Sequence, residues 1–255
     1  MARVGFIGTG EIAAAMVHGL TGQGHGMLVS ERGAKIAAEL ATLDDVAIAS
    51  NQAVIDGSDI VVLCLLKDVA HDVLPTLNFR ADQRVISVMV DVSHTVLRDL
   101  CFPVQDIEIT IPLPFVATGT CPLPVYPMAT NVAELFGAKN PVFAVKTETG
   151  LNAHFAATAM ASVAFSQAQT AAQWLGELTD DNQAAEQYII AMLGGFFTGL
   201  PQDGQGRLAD ALAALNTEGG LNQTLREHMR QRGVLDDLCD GLDGFRDRLG
   251  LPPKA

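Results

Sequence analysis

The sequence predicts an α/β protein with an N-terminal doubly wound dinucleotide-binding (Rossmann) domain and an all-α C-terminal dimerisation domain. Three observations predict this fold. A Gly-x-Gly-x-x-Ala turn follows the first strand, strands alternate with helices as far as Lys146, and no strand pattern appears from Leu151 onward. Alternating strands and helices are typical of a parallel sheet with helices on both faces. We therefore place the dinucleotide-binding domain at residues 1–147 and the helical domain at residues 148–255.

The first strand is predicted at Arg3–Ile7 (RVGFI), an apolar run typical of a buried parallel strand. The sequence GTG then interrupts the chain, and the residues from Glu11 predict a helix with a small-residue face. Strand, Gly-x-Gly-x-x-Ala and helix follow one another in this order in dinucleotide-binding domains. An ordinary glycine-rich turn is the alternative interpretation.

Each part of the turn has a physical role in the nucleotide interpretation. The first glycine permits the tight turn, the second lets the backbone approach a pyrophosphate, and Ala13 lets the helix pack close to the strand. The helix N-terminus offers free N–H groups and a positive dipole end to the phosphates. We therefore expect the pyrophosphate to be held by Gly8, Thr9, Gly10, Glu11 and Ile12.

The remaining elements of the first part follow in alternation. Strands are predicted at residues 26–30, 46–49, 59–66, 84–90 and 107–111, and helices at residues 34–43, 69–77 and 93–100, with a brief helix beginning at residue 51. Ser93 is the predicted N-cap of its helix. The stretch Pro112–Pro127 carries five prolines, which predicts an extended, rigid connection. Residues 136–145 are expected to supply the last turn and strand.

The second part is predicted to be helical throughout. Leu151–Leu178 is apolar or small nearly all round, which predicts one long buried helix. A second helix is interrupted at Gly194-Gly195, and further helices are predicted at residues 207–215, 223–232 and 235–249. So few helices would leave the central one partly uncovered. We therefore expect a homo-oligomer, at least a dimer, formed through this part.

Composition excludes several classes of function. The formal net charge of −13 argues against nucleic acid and anionic membranes as partners, because both require a basic face. No apolar run approaches a membrane span, and the first strand begins almost at Met1, so we expect a cytoplasmic protein without a signal peptide. The four cysteines are scattered and the six histidines lack metal-ligand spacing, so no metal site is predicted.

Several segments together resemble the pyrroline-5-carboxylate reductase family over nearly the full length of the chain. The family opens with a strand, GxGxMAxAM and a helix, and this chain has GTGEIAAAM. Further segments similar to the family are SNQAVIDGSDIVVLCL, VISVMVDVSHTVLRDL, IPLPFVATGT and NTEGGLNQTLREHMRQRGVLDDLCDGLDGFRDR. The resemblance implies an oxidoreductase of proline biosynthesis that reduces 1-pyrroline-5-carboxylate to proline with NADP, or alternatively NAD, as cofactor.

The chain departs from the family pattern mainly in the substrate segments. Pro112-Leu113-Pro114 is one residue shorter than the family's PNTP segment and lacks its Asn, and Asp91 stands where the family has glycine. The family's SPGGTT loop appears as TEGGLN at Thr217–Asn222, and its GSGP turn as Ala157–Met160. The cofactor segments therefore match more closely than the substrate segments.

Three further places are expected to contact the nucleotide. Ser30, Glu31 and Arg32 end the second strand; an acidic residue there suits a free ribose 2′-OH and an arginine suits a 2′-phosphate. The Ser30 and Arg32 pair, with Lys35 nearby, favours NADP, although a solvated helix start is the alternative. The resemblance places Asn51 on the adenosine side, where it could equally cap the following helix. The loop Leu65, Leu66 and Lys67 follows the fourth strand at the carboxyl edge of the sheet.

The chemistry of imine reduction explains why no catalytic dyad is visible. A protonated C=N bond is already an electrophile, so positioning and desolvation supply most of the rate. The reaction does need a group that captures the substrate carboxylate, and a helix N-terminus with hydroxyls is suited to this. We therefore nominate Thr217, Asn222 and Thr158 as catalytic and Gly219, Gly220 and Leu221 as substrate-binding. In the alternatives, Thr217 only begins a helix and Thr158 is a core threonine bonded to its own helix.

Two other functions stay open at this point. A β-hydroxyacid dehydrogenase shares the glycine turn and the helical half, but it needs a lysine as catalytic acid and base. The helical half has no lysine before Lys254, which counts against this alternative. A non-catalytic nucleotide-binding regulatory protein is the other alternative, and turnover would distinguish it from either enzyme.

Overall fold

The computed structural model describes residues 1–254, which form two compact units. The first comprises Met1–Phe155 together with Arg248–Pro252, and the second comprises Ala156–Asp247 with the described residues after Pro252. The predicted boundary between residues 147 and 148 lies at the start of a helix, whereas the two units divide between Phe155 and Ala156, inside that helix.

A single sheet of eight strands forms the centre of the first unit. Its strands are β1 (Arg3–Ile7), β2 (Gly26–Ser30), β3 (Val46–Ala49), β4 (Ile60–Leu63), β5 (Arg84–Ser87), β6 (Asp106–Thr110), β7 (Leu123–Tyr126) and β8 (Val142–Ala144). Their order in the sheet is β3-β2-β1-β4-β5-β6-β7-β8, and β1 to β6 are all parallel. The predicted doubly wound fold is therefore confirmed. The strand order reverses between β1 and β4, and ligands of such sheets bind at the carboxyl ends beside this switch point.

Helices cover both faces of the sheet because the strands are apolar on both. Along β1, Phe6 belongs to one buried cluster with Met16, and Ile7 belongs to a second buried cluster with Val54. Such two-sided burial is typical of strands in doubly wound sheets. The helices of this unit are α1 (Glu11–Leu20), α2 (Ala34–Leu40), α3 (Asn51–Asp56), α4 (Lys67–Val73), α5 (His94–Leu100) and α6 (Thr130–Phe136). Ser93 caps α5 as predicted, since its hydroxyl accepts from the Val96 N–H.

The proline-rich stretch Pro112–Pro127 is not the extended connection that its composition predicts. It contains a 3₁₀ turn at Pro114–Ala117 and the strand β7, which runs antiparallel to β6. Within β7 the Pro124 carbonyl accepts a hydrogen bond from the Thr110 hydroxyl at 2.9 Å. Proline lacks only the N–H donor, so its acceptor can still join the sheet to a neighbouring strand.

The second part of the chain is helical, as predicted, but two helix lengths were wrong. Its helices are α7 (Glu148–Thr158), α8 (Met160–Thr179), α9 (Asn182–Thr198), α10 (Arg207–Ala214), α11 (Leu221–Gln231) and α12 (Val234–Asp243). The predicted long helix is divided at Ala159, where the N–H bonds to the carbonyl of Ala156, three residues earlier. This tighter 3₁₀ hydrogen bond ends α7 and starts α8. The predicted last helix ends early, at Asp243. The predicted interruption at Gly194-Gly195 is also wrong, because α9 continues through both glycines.

The segment after α12 returns to the first unit. The Arg248 guanidinium donates through Nε and Nη2 to Asp91 Oδ2, at 3.0 and 2.8 Å. The Leu249 side chain is buried, and its carbonyl accepts from Asn152 Nδ2 at 2.9 Å. Asp91 adopts a positive φ of 65° in the turn that follows β5. Arg248–Pro252 therefore forms part of the first unit, although the helices α8 to α12 separate it from the rest of that unit in sequence.

Candidate functional site

Gly8 occupies a position that only glycine can fill. Its φ is +93°, and a Cβ placed on it would lie 2.4 Å from the backbone oxygen of Cys64, at the carboxyl end of β4. The close approach follows from the sheet, because the Cys64 N–H donates to the Ile7 carbonyl at 2.8 Å. The first glycine of the motif therefore lets the turn after β1 pass directly against β4.

Gly10 has a different surrounding, because it faces open space. It is the N-cap of α1 with an extended backbone, and no protein atom lies within 4 Å of where its Cβ would be. The first N–H groups of α1, including those of Glu11 and Ile12, have no carbonyl of the preceding turn to bond. Open space beside a helix N-terminus is the arrangement that a pyrophosphate requires. The residues present thus fit a bound dinucleotide.

Thr9 and Ser30 join the turn after β1 to the end of β2. Ser30 Oγ accepts from the Gly8 N–H at 2.9 Å, and Thr9 Oγ1 donates to the Ser30 carbonyl at 2.7 Å. The Thr9 N–H also donates to the Arg32 carbonyl at 3.3 Å. Ser30 is fully buried and Thr9 is 4% exposed. Their side chains therefore hold the two turns together.

Charged side chains stand at the end of β2, where a ribose is expected. Glu31, Arg32 and Lys35 are all exposed, and none of the three forms an ion pair within residues 1–254. Gly33 follows in the left-handed region with φ +89°, and a Cβ there would lie 2.0 Å from the Thr9 carbonyl oxygen. The turn that carries Arg32 therefore lies directly against the glycine turn of β1.

The other predicted cofactor residues lie at the carboxyl ends of β3 and β4. Asn51 is the first residue of α3, and the cap of that helix is Ser50, whose hydroxyl accepts from the Ala53 N–H. The alternative in which Asn51 caps α3 is thus wrong. Leu66 is 79% exposed at the start of α4, beside a half-buried Leu65 and an exposed Lys67. These residues give the carboxyl end of β4 an apolar surface with a cation next to it.

The loop at Thr217–Asn222 is held by the helix that follows it. The Gly219 N–H donates to Gln223 Oε1 at 2.8 Å, and the Gly220 N–H donates to the Thr217 carbonyl at 2.9 Å. Gly220, and not Thr217, is the N-cap of α11, so the alternative in which Thr217 begins this helix is wrong. Leu221 is 90% exposed, and Asn222 is also exposed in the first turn of α11.

Arg226 stabilises the same loop and was not predicted from the sequence. Its guanidinium donates to the Asn216 side-chain oxygen and, at 3.0 Å, to the Leu212 carbonyl. Together with the Gln223 bond, these contacts hold the chain between α10 and α11 in one conformation. An arginine and a glutamine one helical turn apart on α11, after two glycines, were the signals available in the sequence. Thr158 is the last residue of α7, is exposed, and belongs to the same second unit as this loop.

Nucleophilic thiol chemistry is not available at the carboxyl edge of the sheet. Cys64 lies beside Gly8, and burial raises the pKa of its thiol to about 12. The thiol is therefore protonated at neutral pH, and only a thiolate is an effective nucleophile. Within residues 1–254 no three His, Cys, Asp or Glu side chains are grouped so that they could hold a metal ion. The same residues contain no helix that is long and apolar enough to cross a membrane.

A family model matches the first part of the chain. Residues 3–91 match the model of the family described as NADP oxidoreductase, coenzyme F420-dependent. These residues run from β1 to the turn after β5 and include the whole glycine turn. A comparison with curated protein sequences gives no match.

Solved structures extend the likeness to nearly the whole chain. The pyrroline-5-carboxylate reductase of Streptococcus pyogenes is 20% identical with a TM-score of 0.83, over 97% of this chain and 98% of that one. The Plasmodium falciparum pyrroline carboxylate reductase, solved with NADP bound, is 12% identical with a TM-score of 0.81, over 97% of both chains. The Coxiella burnetii pyrroline-5-carboxylate reductase is 16% identical with a TM-score of 0.75, over 100% of this chain and 99% of that one. The chain therefore has the fold of the pyrroline-5-carboxylate reductases, and its first part is similar to the NADP oxidoreductase family.

Proposed function

We propose that the chain is an NAD(P)H-dependent reductase of a cyclic imino acid, most simply of 1-pyrroline-5-carboxylate to L-proline. The observation that carries the proposal is the open turn at Gly10, which fits a pyrophosphate at the switch point of the sheet. The fold shared with pyrroline-5-carboxylate reductases supports the choice of a C=N bond as the group reduced.

The chain's own residues contribute mainly by binding and orienting. When bound, a reduced nicotinamide dinucleotide supplies the hydride. The N-terminus of α1 would hold the pyrophosphate, Arg32 and Asn51 would contact the adenosine half, and the loop after β4 would contact the nicotinamide half. Leu65 and Leu66 provide an apolar surface at the end of β4 that excludes water from that half. A protonated imine needs no protein nucleophile, which agrees with the protonated state of the Cys64 thiol.

The substrate carboxylate is assigned to the N-terminus of α11. The first N–H groups of this helix have no carbonyl of a preceding turn to bond, and anions are favoured at such an end. Gly219 and Gly220 shape the turn, and Leu221 and Asn222 present the free N–H groups. The side chains of Thr217, Asn222 and Thr158 are the proposed polar contacts of the substrate. The bonds from Gln223 and Arg226 hold the loop in advance, so little ordering is needed on binding.

NADP is the proposed cofactor, and Arg32 is proposed to bind its 2′-phosphate. Arg32→Ala is expected to lower the affinity for NADPH more than that for NADH. The additional loss is about 1.5–3 kcal/mol, the scale of a hydrogen bond to a charged group. Titration of each cofactor by fluorescence measures both affinities, and Glu31→Gln is the control that should not weaken NADPH binding. Equal losses for the two cofactors would contradict the assignment and favour NAD.

We further propose that the chain forms a homodimer through its helical unit. Residues 160–243 contain only three buried residues, Gly176, Ala185 and Ile189. Large apolar side chains of α8 and α9 are instead exposed, and a cleft of about 820 Å³ lined by both helices includes Phe165 and Ile190. Soluble monomers rarely leave so much contiguous apolar surface uncovered. A symmetric partner would supply the core that one copy of this unit lacks.

A panel of substrates tests the proposed reaction directly. Five- and six-membered cyclic imines with and without a carboxylate are offered with NADPH, and oxidation is followed by absorbance. We expect turnover of carboxylate-bearing imines and none of β-hydroxy acids offered with NADP. The Gly10→Val variant is the inactive control. NADPH binding without turnover of any imine would contradict the enzyme proposal and favour a nucleotide-binding regulator.

A further inference from the structure

The two hydroxyls between the turns after β1 and β2 form a closed set of hydrogen bonds. Thr9 Oγ1 donates its proton to the Ser30 carbonyl, and Ser30 Oγ accepts from the Gly8 N–H. The two hydroxyl oxygens lie 3.2 Å apart. Since the proton of Thr9 is already used, Ser30 Oγ must be the donor in this contact. Each hydroxyl therefore uses its only proton inside the protein, and neither has a donor left for a phosphate oxygen.

The backbone of Arg32 is fixed by the same residue, Thr9. The Thr9 N–H donates to the Arg32 carbonyl, and the Thr9 carbonyl lies against Gly33 so closely that no Cβ would fit there. The Arg32 side chain, by contrast, is exposed and has no ion-pair partner within residues 1–254. A long, unpaired side chain loses considerable rotamer freedom when it binds an anion. Because the Arg32 backbone is already fixed, only the side-chain rotamers lose freedom when Arg32 binds an anion.

We propose that Thr9 is a positioning residue for recognition of the 2′-phosphate. Its buried hydroxyl and its N–H hold the Ser30–Gly33 turn, so that Arg32 is presented at the ribose while Gly10, the next residue, faces the pyrophosphate. One residue thereby sets the separation between the two phosphate contacts of the cofactor. Ser30 acts through Thr9 and Gly8 and does not contact the nucleotide. This inference rests on the proposed assignment of Arg32 to the 2′-phosphate.

Thr9→Val tests the inference, because it removes the hydroxyl and preserves the shape and branching of the side chain. Calorimetry measures the affinity for adenosine 2′,5′-bisphosphate, which carries the 2′-phosphate, and for 5′-AMP, which lacks it. We expect the ratio of the two affinities to fall by roughly 3- to 10-fold, the scale of one net hydrogen bond. Thr9→Ser keeps the hydroxyl and is expected to retain the wild-type ratio. Circular dichroism checks that each variant is folded.

Ser30→Ala provides a second variant, because it removes the acceptor of the Gly8 N–H and the donor to Thr9. The same fall in the ratio is expected, and this variant decides the matter if Thr9→Val does not fold. If the folded variants keep the wild-type ratio of the two affinities, Thr9 does not position Arg32. This holds also when both affinities fall by the same factor, because their ratio is then unchanged. Arg32→Ala distinguishes a failure of the Thr9 inference from a failure of the assignment on which it rests. If this variant leaves the ratio of affinities unchanged, the assignment of Arg32 to the 2′-phosphate is itself wrong.

Discussion

A Gly10→Val variant is expected to lose dinucleotide binding by about 100-fold or more while the chain still folds, each factor of ten being about 1.4 kcal/mol. The protein itself has room for the new side chain, because no atom lies within 4 Å of the added Cβ. The backbone of Gly10 is extended, with φ −112°, and does not require glycine. A side chain there would extend into the open space assigned to the pyrophosphate. Titration of NADPH by fluorescence, alongside circular dichroism, measures both expectations.

Two other glycines provide controls for this experiment. Gly26 begins β2 and also has open space around it, so Gly26→Val should leave both folding and NADPH affinity unchanged. Gly8→Val should instead disrupt the fold, since its Cβ would lie 2.4 Å from the Cys64 carbonyl oxygen. Unchanged NADPH affinity in a folded Gly10→Val variant would show that the pyrophosphate does not bind at this turn.

A Phe165→Glu variant is expected to dissociate the proposed dimer and to lose activity with it. Phe165 is 74% exposed in one copy of the chain and lies on α8 beside the cleft shared with α9. Aromatic side chains at the centre of an interface often contribute 2 kcal/mol or more, so the dimer dissociation constant should rise roughly 30-fold or more. A charge placed in the same contact adds the cost of burying it without a partner.

Light scattering coupled to gel filtration measures the mass of the wild type and the variant at several concentrations. Ala38→Glu adds the same charge to an exposed position of α2 in the other unit, and should leave the mass and the activity unchanged. A wild-type protein that is monomeric at every concentration and fully active would remove the argument for the dimer. A Phe165→Glu monomer with full turnover would show instead that the active site is complete within one chain.

Local patterns predicted the parts of the site that depend on one turn. The Gly-x-Gly-x-x-Ala segment indicated β1, the tight turn and α1, because the steric requirement for each glycine arises from the few residues around it. Ser93 could likewise be predicted as the N-cap of α5, because its hydroxyl accepts from the N–H of Val96, only three residues further along the chain. Features of this kind need no knowledge of distant contacts, so the sequence is sufficient to predict them.

The parts that were missed depend on contacts between residues far apart in sequence. Ser30 was expected to contact the nucleotide, and nothing near it in sequence indicates that its hydroxyl also bonds to the Gly8 N–H and to Thr9. Pro124 was assigned to a rigid connection because the hydrogen bond from the Thr110 hydroxyl to its carbonyl forms only once the two strands lie side by side. The predicted last helix was too long because the apolar pattern continues past Asp243, whereas Arg248 binds Asp91, which is distant in sequence but lies in the same compact unit.

The return of Arg248–Pro252 to the dinucleotide-binding unit has a consequence for the order in which the protein is completed. A ribosome makes the eight strands first, yet Leu249 and the partner of the Asp91 carboxylate emerge only after all five helices from α8 to α12 have been synthesised. Until then the turn after β5 carries an unpaired carboxylate and an open apolar site. The first unit therefore gains its last contacts only after the segment that forms α8 to α12 has been synthesised.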